Sequence, residues 1–480
     1  MKHRIEPHSI KRMLITALGA IGLLFPLPVA NQFRCLGSDL RVVRGQHIHL
    51  TTDIPQRDLS NADHEDLVQK FDAATVQWCQ IWGVADSTIA EWRIDAFLMR
   101  DVEPFRSRGD LPASVPRIRF GYASPNRIWV RDQMSTYYNR HLLLHEGVHS
   151  LAIHLFGGCG PTWYMEGTAE WWATHRDVAS SPTISDSGLL AQVATPFQVR
   201  QLPRDVSESP LWGRFRVVEE HRRAATLPSL RSVMALPRNL EGDVESYTWA
   251  WAAAMMLNSY DDTRDDFIEA ARRGHDGTPG FTVELLRRWQ RRWPVLQARW
   301  TLMLHDLQYG FDWNDQRVDV SVQDRRYDGG TLITQIDPRR SWQSIGVWFP
   351  ARTRLELTAT GVCELESFMP MPVPSEPPGV TVDFADGRPI GQLSVLVLPI
   401  KPKDSKTLSP IEIEAVVPSP SAFEFRDADK IFSGRRLQIN QPSWVLFRVE
   451  DPVRGGVATS GRASNRGGYS VTLSATLSGR

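Results

Sequence analysis

The segment His145-Glu146-Gly147-Val148-His149 constrains this chain more than any other. Residues four apart lie on one face of an α-helix, so two imidazoles one turn apart can share a cation, with the glutamate beside them. A divalent ion held by three protein ligands keeps a position for water, lowers that water's pKa to about 7, and lets a nearby carboxylate take its proton. The pattern therefore asks for a helix over Tyr137 to Phe156, ended by Gly157-Gly158, and for a further element that delivers a third ligand. The next periodic stretch, Thr162 to His175, comes after a glycine-rich turn, has Pro161 suited to its first turn, and carries Glu166 and Glu170 on one face. A surface helix that happens to hold two histidines is the plain alternative.

The second helix narrows the choice. Its run Trp163-Tyr164-Met165-Glu166-Gly167-Thr168-Ala169-Glu170, so soon after His149, resembles the gluzincin zinc metallopeptidases, the peptidase MA-like group in particular. That resemblance implies one zinc ion on His145, His149 and Glu166, with Glu146 as the general base. It also implies that Glu170 accepts the free N–H of His145, where the plain alternative is a solvated helix charge. Two imidazoles and a carboxylate suit zinc, although other divalent ions take the same set. A peptidase needs a donor for the oxyanion, and Tyr247, at the start of the Ser246-Tyr247-Thr248-Trp249-Ala250 helix, is the candidate; a core tyrosine is the alternative. The likeness spans roughly residues 40 to 305. Gly147 departs from good helix composition at a cost of about 1 kcal/mol relative to alanine, and would let another segment approach closely.

Other residues near the motif have simpler expectations. His141 lies one turn before His145 and could reach the site, although such a residue more often packs or faces solvent, while His154 falls off the ligand face. Cys159 is a disulfide partner or a buried thiol, and Trp163, Trp171 and Trp172 are most simply core residues, with substrate stacking the alternative. Arg127 to Val130 is either the edge strand along which an extended peptide adds itself, or an ordinary paired strand.

The expected fold is α+β. Residues 36–132 read as a mixed α/β layer: an extended Leu40 to Leu50, a helix over Glu65 to Trp82, a strand at Ile94 to Leu98, and two strands turned at Ser124-Pro125-Asn126. Residues 133–310 read as the helical, zincin-like part, with later helices over Val244 to Asn258, Thr263 to Arg273 and Val283 to Trp300. Residues 338–480 read as an all-β, jelly-roll-like sandwich, its Pro370 to Pro378 stretch a long loop. Asp451 and the Ser464 to Val471 segment faintly resemble a galactose-binding lectin, which would imply a calcium ion and a glycan or cell-surface ligand. Asp451 and Asn465 supply only two of the six to eight oxygens calcium takes, so a plain sandwich is the expectation.

Composition excludes one class and suggests a compartment. Lysine plus arginine and aspartate plus glutamate both total 55, so nothing points to a nucleic-acid partner. Lys2, Arg4, Lys11 and Arg12 precede an apolar run from Met13 to Phe25, so residues 1–30 have the shape of a secretory signal, or of a membrane anchor if uncleaved. Such a segment implies export to a periplasm, a cell surface or the medium. Two functions compete: a peptidase acting on proteins or peptides, and a non-catalytic surface or carbohydrate-binding protein that keeps the zinc helices as scaffold. The intact Glu146 favours the first, because metal retention alone does not require a general base.

Overall fold

A computed structural model describes residues 40–177, 197–238, 240, 243–365, 371–385, 387–400, 435–451 and 461–477. The signal expected over residues 1–30 and Cys35 lie outside them. No helix among the described residues is long and apolar enough to cross a membrane. Asp39–Arg480 form one compact unit, and the chain is α+β, with most helices before residue 320 and a β-rich region after it.

Strands β1 (Arg41–Arg44) and β2 (Ile48–Thr52) make a hairpin where one extended run was expected. Helix α1 (Asn61–Trp82) starts at a Ser60/Asp63 capping box and stops at Gly83, whose φ of 63° is the left-handed value glycine tolerates. Strand β3 (Ile94–Met99), the short helix α2 (Glu103–Ser107), β4 (Gly121–Ser124) and β5 (Arg127–Arg131) complete a five-stranded sheet of order β1-β2-β3-β5-β4. Ile94, Ala96, Leu98, Ile128 and Val130 face the main helical core, whereas Phe97, Met99 and Trp129 face a small second cluster with Phe105 and Leu111. Period-two alternation thus sorts the strand residues between two apolar layers.

Helix α3 (Thr136–Phe156) is capped by the Ser135 hydroxyl, which accepts from Tyr138 N, and ends at left-handed Gly157. Helix α4 (Thr162–Ala173) stops two residues short of the expected end, because His175 opens a two-strand ribbon of β6 (His175–Asp177) and β7 (Phe197–Val199). Then come α5 (Arg214–Arg223), α6 (Leu230–Val233), α7 (Val244–Ser259), α8 (Asp261–Glu269), α9 (Pro279–Arg288) and α10 (Trp293–Asp306). The helix expected over Val283 to Trp300 is in fact α9 and α10, broken where Pro294 fits only the first turn of a new helix. Gly147 has the close neighbour its presence suggested: a Cβ there would lie 2.5 Å from Cε2 of Phe71 on α1. Trp163, Trp171 and Trp172 are all buried in the core, the simpler of the two readings for them.

The β region begins with β8 (Arg325–Arg326), β9 (Thr331–Ile336), β10 (Gln343–Phe349) and β11 (Thr353–Leu365). It continues through β12 (Val373–Ser375), β13 (Val380–Ala385), β14 (Arg388–Ile390), β15 (Leu393–Pro399), β16 (Arg435–Ile439), β17 (Ser443–Val449) and β18 (Arg466–Leu477). Two sheets, β15-β17-β10-β8 and β12-β11-β18-β9 with β16 also on β11, share a core of Phe349, Leu355, Leu357, Phe447, Tyr469 and Val471. Every residue of β17 is buried, because Val445, Phe447 and Val449 face that core while Trp444 and Leu446 face Val295, Ala298 and Leu302 of α10. Beside this second interface, Arg448 donates to Asp306 at 2.8 Å and to Glu450 at 2.7 Å, Arg448 and Glu450 being buried and Asp306 mostly so. Asn465 donates its amide to Asp451 at 2.7 Å, so the pair thought of for calcium satisfies itself instead of turning two oxygens toward an ion.

Candidate metal centre

The local sequence places two ligands by helical period alone. His145 and His149 sit one turn apart on α3, with Nε2 atoms 3.0 Å from each other. Helix α4 crosses beneath them and presents Glu166, whose Oε2 is 3.2 Å from His145 Nε2 and 3.5 Å from His149 Nε2. Ligand atoms at roughly 2.0–2.1 Å from a tetrahedral ion lie about 3.3–3.4 Å apart. The observed triangle of 3.0, 3.2 and 3.5 Å is that size, so the donor set fits a divalent cation in both chemistry and spacing. On its other side α4 lies close against α7 at Gly167, where a Cβ would meet the Ala250 carbonyl oxygen at 2.4 Å.

The three residues are at most 8 % exposed, and in each of them burial and the neighbouring charges act in opposite senses. Burial works against a charged His145, but Glu166 and Glu170 outweigh it and raise its pKa to about 9. Burial likewise opposes the Glu166 carboxylate, and the two histidines outweigh it, lowering its pKa to about 2.

Glu146 shares the buried cluster, and burial holds its carboxyl above the usual range despite the pull of His145 and His149. An elevated carboxylate is what a general base near neutral pH requires. Its position depends on β4: a Cβ on Gly121 would fall 2.2 Å from Glu146 Oε1, so only glycine lets the strand lie over this carboxylate.

Glu170 is buried and faces His145, as the resemblance implied, at an ion-pair distance and not in a hydrogen bond. Its Oε1 lies 3.4 Å from His145 Nδ1, and its Oε2 lies 3.1 Å from Nε2 of His141, which is wholly buried rather than exposed. Arg214, the first residue of α5, donates to both oxygens, at 2.7 Å to Oε1 and 3.0 Å to Oε2. His141, His145 and Glu170 also form a group close enough to ligate an ion. The guanidinium bound to both Glu170 oxygens makes that group an anchor for the histidines, because a cation there would face a fixed positive charge.

Tyr247, on the first turn of α7, is half-buried with its ring centroid 6.3 Å from that of His145. Burial and the Glu166 and Glu146 carboxylates push its phenol up, so it remains a hydroxyl donor. The Arg214 guanidinium lies 5.9 Å from the same ring. His154 is exposed and off the ligand face. Cys159 is a free thiol whose Sγ donates toward the His149 carbonyl at 3.6 Å, and Cys79 and Cys363 are free as well.

Of the two readings for Arg127 to Val130, the ordinary paired strand holds and the edge strand does not. Strand β5 is paired on both sides, with β3 and with β4, and the edge is β4. Since Arg131 N donates to the Phe120 carbonyl, antiparallel alternation turns the N–H and C=O groups of Gly121 and Ala123 to the free side. Sequence reasoning missed both Gly121 and Arg214. A glycine inside a strand pattern is a recognised sign of close approach and was a usable clue. Arg214 is 44 residues from Glu170, with no local signal joining them.

No protein-family model and no curated protein matches this chain.

Proposed function

We propose that the chain is an exported zinc metallopeptidase of the gluzincin type, hydrolysing peptide bonds in protein or peptide substrates. The observation that carries this reading is the buried convergence of His145, His149 and Glu166 with Glu146 alongside, beneath the free edge of β4. A zinc ion on the three ligands would act as a Lewis acid and lower the pKa of a water to about 7. The chain's own groups divide the remaining work. Glu146 accepts the proton of the attacking water on its carboxylate and returns it to the leaving amine. Tyr247 donates its hydroxyl to the developing oxyanion. Glu170, fixed by Arg214, holds the ring of His145 in one orientation. Gly121 and Ala123 offer backbone donors and acceptors to an extended peptide.

The decisive comparison is wild type against Glu146→Gln and His149→Ala, with metal content and cleavage of a peptide library measured on each. The reading expects one zinc in wild type and in Glu146→Gln, hydrolysis in wild type only, and neither in His149→Ala. Zinc-loaded wild type that cleaves nothing left intact by Glu146→Gln would turn the assignment to a binding protein with a zinc scaffold.

A further inference from the structure

A second feature lies at the end of the same strand pair, on the sheet face opposite α3. Val102, Leu111, Pro116 and Ile118 floor a depression of ≈ 850 Å³, and Arg106, Arg117, Arg119 and Arg131 line it. Between residues 100 and 132 the chain carries seven arginines against four acidic residues, a net of +3 in a chain of net charge zero. Nearby acids pair with other arginines: Arg100 takes Asp58 and Asp132, Arg108 takes Asp110, and Arg127 takes Asp95 from outside the segment. None of the four lining arginines forms an ion pair among the described residues, whereas most other arginines of the fold do. Like charges gathered around one concavity repel each other and focus a positive field into it.

Guanidinium groups match oxyanions in a planar, two-point fashion, so the chemistry recognised here is carboxylate or phosphate. Position chooses between them. Arg119 is two residues from Gly121 and Arg131 pairs across from Phe120, so the depression adjoins the free edge that passes over Glu146. At about 3.3 Å per residue, a peptide aligned on β4 brings its residues two to four places from the scissile bond alongside these arginines.

We propose that this arginine-lined depression is a specificity subsite for aspartate and glutamate side chains of an extended peptide bound along β4. The inference rests on the peptidase reading above and deepens it from peptides in general to acidic ones. Three or four exposed charge pairs supply about a tenfold preference, and salt weakens it.

The test uses full-length protein and paired peptides that differ only in aspartate or asparagine at the second to fourth positions on either side of the cleaved bond. With zinc-loaded wild type, the acidic peptide of one pair should show about tenfold higher kcat/KM at low salt, the ratio falling as salt rises. In Arg131→Gln that ratio should fall to about fivefold, and in Arg117→Gln/Arg119→Gln to about threefold. Equal cleavage of the two peptides by wild type, or a preference left at its full size by both sets of substitutions, overturns the subsite and leaves the peptidase reading intact. Binding of the same labelled peptides to Glu146→Gln, read by anisotropy, separates the two ideas. Arginine-dependent acidic preference there without cleavage by wild type sinks the peptidase reading alone. No charge preference in either assay sinks the subsite. Tripolyphosphate is the third arm: arginine-dependent binding of it, with no effect of peptide charge, assigns the depression to phosphate and overturns the peptide proposal.

Discussion

Arg214→Met tests the buried anchor of the metal centre most severely. Arg214 is 5 % exposed and Glu170 2 %, and the substitution removes two charge-assisted hydrogen bonds of 2.7 and 3.0 Å. The carboxylate left behind keeps only His141 and the longer contact to His145. Breaking a buried pair from one side costs about 3–5 kcal/mol, because the surviving charge has lost both water and partner. Arg214→Lys keeps the charge but not the fork, so about half that loss is expected. Removing both charges in Arg214→Met/Glu170→Gln should recover about 1–3 kcal/mol relative to the sum of the single changes. Urea unfolding with and without chelator measures stability, and competition with a metal indicator measures affinity, which should weaken about 10- to 100-fold in Arg214→Met. Additive single effects, or an Arg214→Met protein within about 1 kcal/mol of wild type, would refute the argument.

The same geometry sets four further outcomes. Gly121→Ala puts a Cβ 2.2 Å from Glu146 Oε1 and should cut kcat roughly 100-fold by displacing the base, with zinc content by metal analysis unchanged. Gly147→Ala gains about 1 kcal/mol of helix propensity but meets Phe71 at 2.5 Å, and overpacking of about 1–3 kcal/mol should make the variant less stable in urea. In the metal-free chain the raised His145 contributes stability that is full below its ordinary 6.5 and is lost as pH rises through about 9. Glu166 contributes stability that is full above 4.5 and is lost as pH falls through about 2. The chelated protein should therefore lose Tm between pH 6.5 and 9 while metal affinity rises over the same window; a chelated protein with flat Tm there contradicts the assignment. Arg448→Met leaves Asp306 with Ser341 and Glu450 with Arg388 at the junction of α10 with β17, and should cost about 1–3 kcal/mol in unfolding without altering zinc binding.

Much of the site was legible because its key spacings are local. Two histidines four apart on α3 and two glutamates four apart on α4 declare their shared faces through the helical period, and the glycine turn at residues 157–158 keeps the helices adjacent. Strand β3 was legible for the same reason. The break between α9 and α10 was missed because an amphipathic pattern can run on across a proline that starts a new helix. Strand β17 was legible as the short β run Trp444 to Val449, but its burial on both faces was not, because the second face is covered by α10, which is distant in sequence.

Local pattern was enough to pick out two histidines and two glutamates as candidate ligands and the helices that hold them, because that information repeats every 3.6 residues along one segment. Only the tertiary structure decided that β4 and not β5 is the free edge, that Arg214 clamps Glu170, and that four arginines meet around one depression. Each of these is a meeting of segments joined by no local pattern. Strand order, buried charge pairing and surface concavity come from how the whole chain excludes water, and no window of neighbouring residues contains that result.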